Sequence, residues 1–307
     1  MSSAKQLILM TTLTLMWSPS FFFIKLALES FPPMTIVALR VSLAAIVLTG
    51  ILVWNKIKLP TDLDFWVRIS MMAIFAAAVP FCLFCYAEQS IDSALAAILN
   101  GSSPMFTAVL AQIFVASDKM NRQKFLGVIF SCAGLVLLFA PKLMEGVDGT
   151  TLGMAAALMA SFCYSSSHIY GKLYLSGNGI KPFVAPAAQF IATSVMICPL
   201  AAYHDQIWTL SLPSLNAISG IFGLVFFGSV TAFIIYYKLL EHCGPTAIST
   251  VACFFPVAGM FLGFVFLGEA FTSTSLLASG IVFLGMLLVN EVVKMPLARN
   301  REETIVD

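Results

Sequence analysis

Charge is what this chain has least of. Only 10% of its 307 residues are Asp, Glu, Lys or Arg, against about 25% in a soluble domain. A chain so poor in charge cannot cover a globule with a wetted surface, so most of its exterior must face lipid. The net charge is only +1, which leaves no basic field to attract nucleic acid, and no nucleic-acid partner is expected. Histidine is scarce as well. The three residues, at 168, 204 and 242, are too scattered to support a metal cluster, so no metal site is expected. The chain has no GxxxxGK[ST] phosphate loop, no HExxH and no pair of catalytic carboxylates. Nucleotide-driven pumping and zinc hydrolysis therefore lack their residues, and no cofactor and no enzymatic activity are expected. The seven cysteines imply no disulfide framework. Cys82 and Cys85 form an i, i+3 pair inside an apolar run, where thiols stay protonated and inert.

What the chain has is hydrophobic length. Its residues are 60% hydrophobic and the mean hydropathy is +0.96. Ten apolar segments, at roughly 6–26, 33–54, 67–87, 93–116, 123–141, 152–173, 182–203, 214–237, 245–267 and 274–294, each approach the ~20 residues of a helical bilayer crossing. Short polar or turn-rich joints separate them, including Asn55 to Asp64, Asp118 to Lys124 and Ser176-Gly177-Asn178-Gly179. The runs lack the period-2 alternation of barrel strands and are too long for them. The first segment lacks the small-residue cleavage site of a signal peptide and is read as a span. The expected fold class is an all-α polytopic membrane protein of ten transmembrane helices.

The sequence also repeats at half its length. Ser103-Pro104, Asp118, Gly127 and Gly134 are echoed by Phe255-Pro256, Glu269, Ala278 and Gly285, with acid to acid and glycine to glycine both 151 residues apart. Trp17 to Lys25 is matched by Tyr164 to Lys172, and Pro33 to Arg40 by Pro182 to Gln189. A period of this size means duplication. The repeats are read as 1–141 and 152–294, with a tail at 295–307. Five segments per copy is an odd number, so the second copy enters from the opposite side and the halves are inverted. Inverted halves about an in-plane axis are a signature of secondary transporters with a midplane site. With the N-terminus cytoplasmic, thirteen of the sixteen Lys and Arg fall on the cytoplasmic side, two (Lys25 and Lys142) outside, and Arg40 within a span. The positive-inside rule then places both termini in the cytoplasm.

Trp17-Ser18-Pro19-Ser20 followed by Lys25, Arg40 within the second span, Pro104 and Pro256, Leu267-Gly268-Glu269 and the paired Gly/Ala spacings resemble the EamA-type family of the drug/metabolite transporter superfamily. The likeness covers nearly the whole chain. It departs at Ala116-Ser117-Asp118, where a Gly-Glu pair is expected, and at Pro19, where glycine is common. The resemblance implies two inverted five-helix repeats around a central cavity lined mainly by helices 1–4 and 6–9, with helices 5 and 10 at the periphery. It also implies outward movement of a small metabolite, often an amino acid or its derivative. The expected setting is the plasma membrane, a bacterial inner membrane, with a small-molecule substrate and the lipid bilayer as partners and a homodimer left open as an alternative to the monomer.

Polar side chains inside spans are the candidate substrate contacts, because hydrocarbon tolerates them only beside a cavity or a partner. Ser18 and Ser20 flank Pro19, which frees a backbone carbonyl; they either face substrate or bond backward to repair the kink. Asn100-Gly101-Ser102-Ser103-Pro104 is the most polar stretch in any span, offering Asn100 and Ser103 to a cavity or Gly101 to close helix packing. Tyr164, Ser167 and His168 share the sixth span, and His168 is either a substrate or proton-handling group or a neutral packed histidine. Gln189 stands at the position corresponding to Arg40. Arg40 itself, about 10 Å into its span, forks onto a substrate carboxylate, pairs with Glu29 or Glu88, or snorkels towards the outer headgroups. Glu88 is the carboxylate to consider for proton coupling, with a rim position as its alternative. Trp17, Phe21, Tyr86, Tyr164, Tyr236 and Tyr237 form a pool from which an amphipathic pocket would be built, while Trp54, Trp66 and Trp208 read as interface anchors. Asp118 and Glu269 are expected to cap the helices that follow them. The functional reading is a gradient-driven or exchanging transporter; an intramembrane enzyme acting on a lipid or isoprenoid, or a passive channel, are the alternatives.

Overall fold

A computed structural model describes residues 3–292 apart from 117, 177–182, 207, 209, 211, 243 and 244. The expected joint at 177–179, the cations Lys181, Lys294, Arg299 and Arg301, and the tail at 295–307 lie outside the described residues. The described chain is helical throughout. In order, the helices are α1 (Ser3–Trp17), α2 (Ser20–Ala27), α3 (Pro33–Trp54), α4 (Leu63–Ala73), α5 (Val79–Ala87), α6 (Ser93–Asn100), α7 (Ser103–Phe114) and α8 (Arg122–Glu145). The second half follows with α9 (Gly149–Tyr174), α10 (Val184–Asp205), α11 (Leu215–Val225), α12 (Ala232–His242), α13 (Pro245–Ser249), α14 (Phe255–Leu267) and α15 (Ser273–Val289). Eight continuous or nearly continuous helical runs are long and apolar enough to cross a bilayer among the described residues. Two more apolar helices complete the pattern: α9 has 26 residues but carries a serine-rich polar face, and α15 has 17.

Several spans are interrupted where the sequence removes a backbone donor or inserts a small residue. Pro19 separates α1 from α2, and Gly101-Ser102 before Pro104 separates α6 from α7. Pro256 follows a 3-10 stretch, Thr250–Phe254. Two further interruptions are π-helical turns, Ile74–Ala78 between α4 and α5 and Phe226–Thr231 between α11 and α12. They start 152 residues apart, at the same place in each half. Such bulges leave main-chain carbonyls without their usual donor and are frequent at functional sites.

Packing between the halves has the symmetry that inversion demands. α2 packs on α11 and α5 on α9; α3 packs on α10, α6 on α14 and α8 on α15. Exchanging first-half spans for their second-half counterparts turns the first pair into the second and maps each of the others onto itself. The landmark small residues explain themselves at the α8–α15 contact. A Cβ on Gly127 would lie 2.6 Å from the Gly285 carbonyl oxygen, and one on Gly285 would lie 2.7 Å from that of Gly127. The two backbones therefore touch, the close approach that small residues permit in membranes.

Asp118 and Glu269 do not cap their own following helices. Glu269 instead accepts from Ser93 N (2.8 Å), Ser93 Oγ (2.7 Å) and Ala94 N (3.1 Å), at the start of α6 in the other half. Asp118 accepts from Thr246 N (3.3 Å), at the start of α13. The span that follows Glu269 is capped by Thr272, which accepts from Ser275 N. A carboxylate in a hairpin meets whichever free helix N-terminus lies nearest in space, and here that terminus belongs to the opposite repeat.

Candidate transport site

Where both halves meet, they line a cavity that is partly continuous with the outside. The broken first span contributes Trp17, Ser20, Phe21 and Ile24, and α3 contributes Arg40. Phe81 and Phe84 come from α5, Asn100 and Ser103 from the break in the fourth span, and Tyr164 and His168 from α9. The second half closes the site with Phe233 and with Ile248 to Phe255 around the 3-10 stretch. Helix interruptions thus converge on one place.

Much of the wall is aromatic. Phe84 stacks on Tyr164 at 5.9 Å between ring centroids, and Phe21 meets Phe84 edge-on at 5.2 Å. Trp17 meets Phe233 edge-on at 5.7 Å. Its indole Nε1 donates to the Gly228 carbonyl oxygen at 3.0 Å. Gly228 sits in the second π-helical turn, which makes that oxygen available. The same oxygen accepts from Arg40 Nη2 at 2.9 Å, while Arg40 Nε donates to Ser229 Oγ at 2.8 Å. The guanidinium carbon lies 3.7 Å over the centre of the Phe81 ring. Arg40 is buried, at 4% exposure, and no described carboxylate pairs with it; neither Glu29 nor Glu88 does so.

Of the sequence candidates, the fold gathers Trp17, Ser20, Phe21, Arg40, Asn100, Ser103, Tyr164 and His168 at the cavity. The others lie elsewhere. Ser18 Oγ donates back to the Thr14 carbonyl at 2.7 Å, repairing the kink before Pro19. Ser167 Oγ donates to the Tyr164 carbonyl at 2.7 Å. Tyr237 donates to Gln189 Oε1, tying α12 to α10 behind the cavity wall. Glu88 is buried at the end of α5, with neither carboxylate oxygen hydrogen-bonded. Within the aromatic pool, Tyr86 is 50% exposed, and Tyr236 backs His168 with its hydroxyl 3.1 Å from Nδ1. Sequence reasoning did not single out Phe81, Phe84, Phe233, Ser229 or Ser161, and it reached Ser165 only as part of the serine run Ser165-Ser166-Ser167 in the sixth span. Ser161 and Ser165 have a defined job: Ser161 Oγ donates to the Leu99 carbonyl at 3.0 Å and Ser165 Oγ to the Ser103 carbonyl at 2.8 Å, serving carbonyls beside the break in the fourth span. The serine spacing along α9 was the available signal, since positions 161 and 165 share a face.

An inverted pair of helical halves in lipid, with a polar and aromatic cavity between them, defines a membrane transporter. The chain belongs to the EamA-like transporter family, whose model matches it twice, over residues 4–140 and 151–291. It is 25% identical over 278 residues, 90% of this chain and 88% of the other, to an uncharacterized inner membrane transporter, YedA, of Escherichia coli. It is 22% identical, over 92% of this chain and 94% of the other, to a probable amino-acid metabolite efflux pump of Escherichia coli. A solved crystal structure has the same fold, with a TM-score of 0.70 at 15% identity, covering 95% of this chain and 99% of that one.

Proposed function

We propose that this chain is a secondary transporter that carries a small metabolite, an amino acid or an amino-acid or nucleoside derivative, out of the cell by alternating access. The observation that carries the reading is the cavity itself: it is built from both inverted halves, at the level where their helices are broken. Two related halves able to exchange conformations about such a site are the working parts of this mechanism. The efflux assignment of one relative supports the direction and the solute class. The bias of Lys and Arg supports cytoplasmic termini in a plasma membrane. Driving force comes from a solute gradient or from exchange, because the sequence has no nucleotide-binding loop. Polar contacts to the substrate would come from hydroxyl, amide and guanidinium groups (Ser20, Asn100, Ser103, Arg40), and apolar contacts from the rings that make up most of the wall.

The test is counterflow in proteoliposomes, with purified protein and a panel of labelled amino acids, acylated amino acids and nucleosides. Saturable uptake that is accelerated by unlabelled solute on the far side is the expected result. Linear, non-competable flux would mean a channel, and product formation without flux an enzyme.

A further inference from the structure

The cavity wall carries one fixed charge, and it is positive. We propose that the transported solute is a monoanion: a molecule with one carboxylate, an apolar or aromatic body and no ammonium group, such as an amino acid whose amine is acylated or absent. The inference rests on the transport reading and narrows its solute class.

Three observations converge. First, Arg40 is the only formally charged residue among the described lining residues, and no Asp or Glu lines the cavity with it. Its hydrogen bonds go to neutral acceptors, Ser229 Oγ and the Gly228 carbonyl. Those bonds occupy Nε and one N–H of Nη2, and Nη1 donates to no described residue. A buried guanidinium without an anionic partner is unfavourable in a low-dielectric site, and an arriving carboxylate offsets that cost through charge-assisted bonds. An arriving cation would add to it. Second, the groups beside Arg40 are hydrogen-bond donors in search of an acceptor. Ser20 Oγ is buried with no hydrogen-bond partner. It flanks the same glycine as Arg40, since a Cβ on Gly228 would lie 3.0 Å from Arg40 Nη2 and 3.1 Å from Ser20 Oγ. Across the cavity, Asn100 Nδ2 also donates to no described residue. Third, the remaining wall is the aromatic set of Trp17, Phe21, Phe84, Tyr164 and Phe233. These rings can hold an apolar body, but they offer no carboxylate to an ammonium group. A zwitterionic amino acid would leave its ammonium with only ring faces and hydroxyls in place of water.

The experiment compares three probes with one body and three charges: N-acetyl-L-phenylalanine, L-phenylalanine and L-phenylalaninamide, which are net −1, 0 and +1 at about pH 6, below the amide's amine pKa. Binding is read from the thermal shift of detergent-purified, full-length protein, and transport from counterflow in proteoliposomes. The acetylated anion is expected to bind about tenfold or more tightly than the zwitterion, the step that one good charge-assisted contact gives, and the amide is expected not to bind. In Arg40→Gln that preference should disappear, and Arg40→Lys should restore part of it. Should the glutamine variant fail to fold, the charge order in the unmodified protein still decides. The proposal is overturned if the zwitterion or the amide binds as tightly as the anion, or if a monodisperse Arg40→Gln protein keeps the preference. If none of the three moves while other metabolites show saturable counterflow, the anion assignment falls and the transport reading stands. If no solute on any panel shows saturable flux, the transport reading itself falls.

Discussion

Glu269 and Ser93 are 176 residues apart in sequence, yet the carboxylate of one seats on the N-terminus of the helix begun by the other, at 2.8 Å to the backbone nitrogen and 2.7 Å to the hydroxyl. This cap fastens the last hairpin of the second half to the fourth span of the first. Removing a helix N-cap acceptor costs about 0.5–2 kcal/mol. Here the acceptor serves three donors in a site only 9% exposed, so Glu269→Ala should fall at the upper end of that range. A lower melting temperature in detergent is the expected reading, with Glu269→Gln intermediate. An unchanged melting temperature in both variants would show that the contact carries no stability.

Asp118 makes the corresponding cross-half contact at the other end of the bundle, and its charge can be titrated. Burial pushes the Asp118 carboxyl up, but bonds from Lys124 (2.7 Å) and Thr246 (3.3 Å) outweigh burial and hold it below the usual carboxylate range. A carboxylate whose folded pKa is depressed contributes stability above its unfolded pKa and loses it as pH falls through the folded value. Wild type should therefore be more stable than Asp118→Asn at pH 7. The gap should begin to narrow below about 4, the ordinary aspartate value, and close only as the pH falls through the lower folded value. Paired melting curves from pH 7 downward check this; a gap that widens on acidification would reverse the sign and refute the account.

These two acids also show where the sequence was readable and where it was not. Hydrophobic length located the spans to within a few residues, since burial in lipid acts on every residue of a crossing. The 151-residue spacing of Asp118 and Glu269 marked the duplication. What the acids bond to was not legible, because a cap is satisfied by the nearest helix end in space and sequence spacing favours the adjacent one. Asp205, which accepts from Thr35 N at 2.7 Å across the two halves, escaped notice for the same reason. At the cavity, polar residues beside helix breaks, such as Ser20, Asn100 and Arg40, were visible as anomalies in apolar runs. The π-helical turns were invisible: Phe226-Phe227-Gly228-Ser229 contains no proline, and a single glycine in an apolar run does not by itself specify an extra residue in the turn. Without that turn, neither the Gly228 carbonyl nor the nearness of Ser229 to Arg40 could be anticipated. Phe81 and Phe84 were likewise hidden among 27 phenylalanines.

Gly228 yields a test that separates stability from function. An alanine there would place its Cβ within 3.0 Å of Arg40 Nη2 and 3.1 Å of Ser20 Oγ, so one or both must shift by a few tenths of an ångström. Alanine also favours helix over glycine by roughly 1 kcal/mol, which works against unfolding. Gly228→Ala should therefore melt no lower than wild type by more than a degree or two, while solute affinity falls roughly tenfold through lost alignment at Arg40. Thermal shift and counterflow on the same preparation make the comparison. Loss of stability with unaltered affinity would place the constraint in packing instead of in the site.

The last prediction concerns which end of the bundle is held shut. Lys25 Nζ donates to the Glu88 carbonyl at 2.8 Å and the Ile91 carbonyl at 2.9 Å, fastening the end of α2 to the turn between α5 and α6. At the repeat offset its counterpart is Lys172, which makes no hydrogen bond or ion pair among the described residues. Glu88 is 1% exposed, whereas Glu241, at its own repeat-related position, is exposed. Lys25 therefore clamps its end with a bridge from a charged donor, while the other end is joined by different bonds, Ser176 Oγ to the Leu240 carbonyl at 3.3 Å and Thr246 N to Asp118 at 3.3 Å. Alternating access requires the two ends to open in turn. Each hydrogen bond from a charged donor contributes about 1.5–3 kcal/mol, enough for a single side chain to bias such an equilibrium. Lys25→Met should raise the population open at the Lys25 end. In cells, a membrane-impermeant maleimide should then reach a cysteine at the cavity position Ser20→Cys about tenfold faster, the effect of ~1.4 kcal/mol. Lys172→Met, which breaks no hydrogen bond or ion pair among the described residues, should leave that rate unchanged. Equal labelling in the two variants would mean that something other than Lys25 closes the clamped end, with the caps at Ser93 and Thr35 the next contacts to remove.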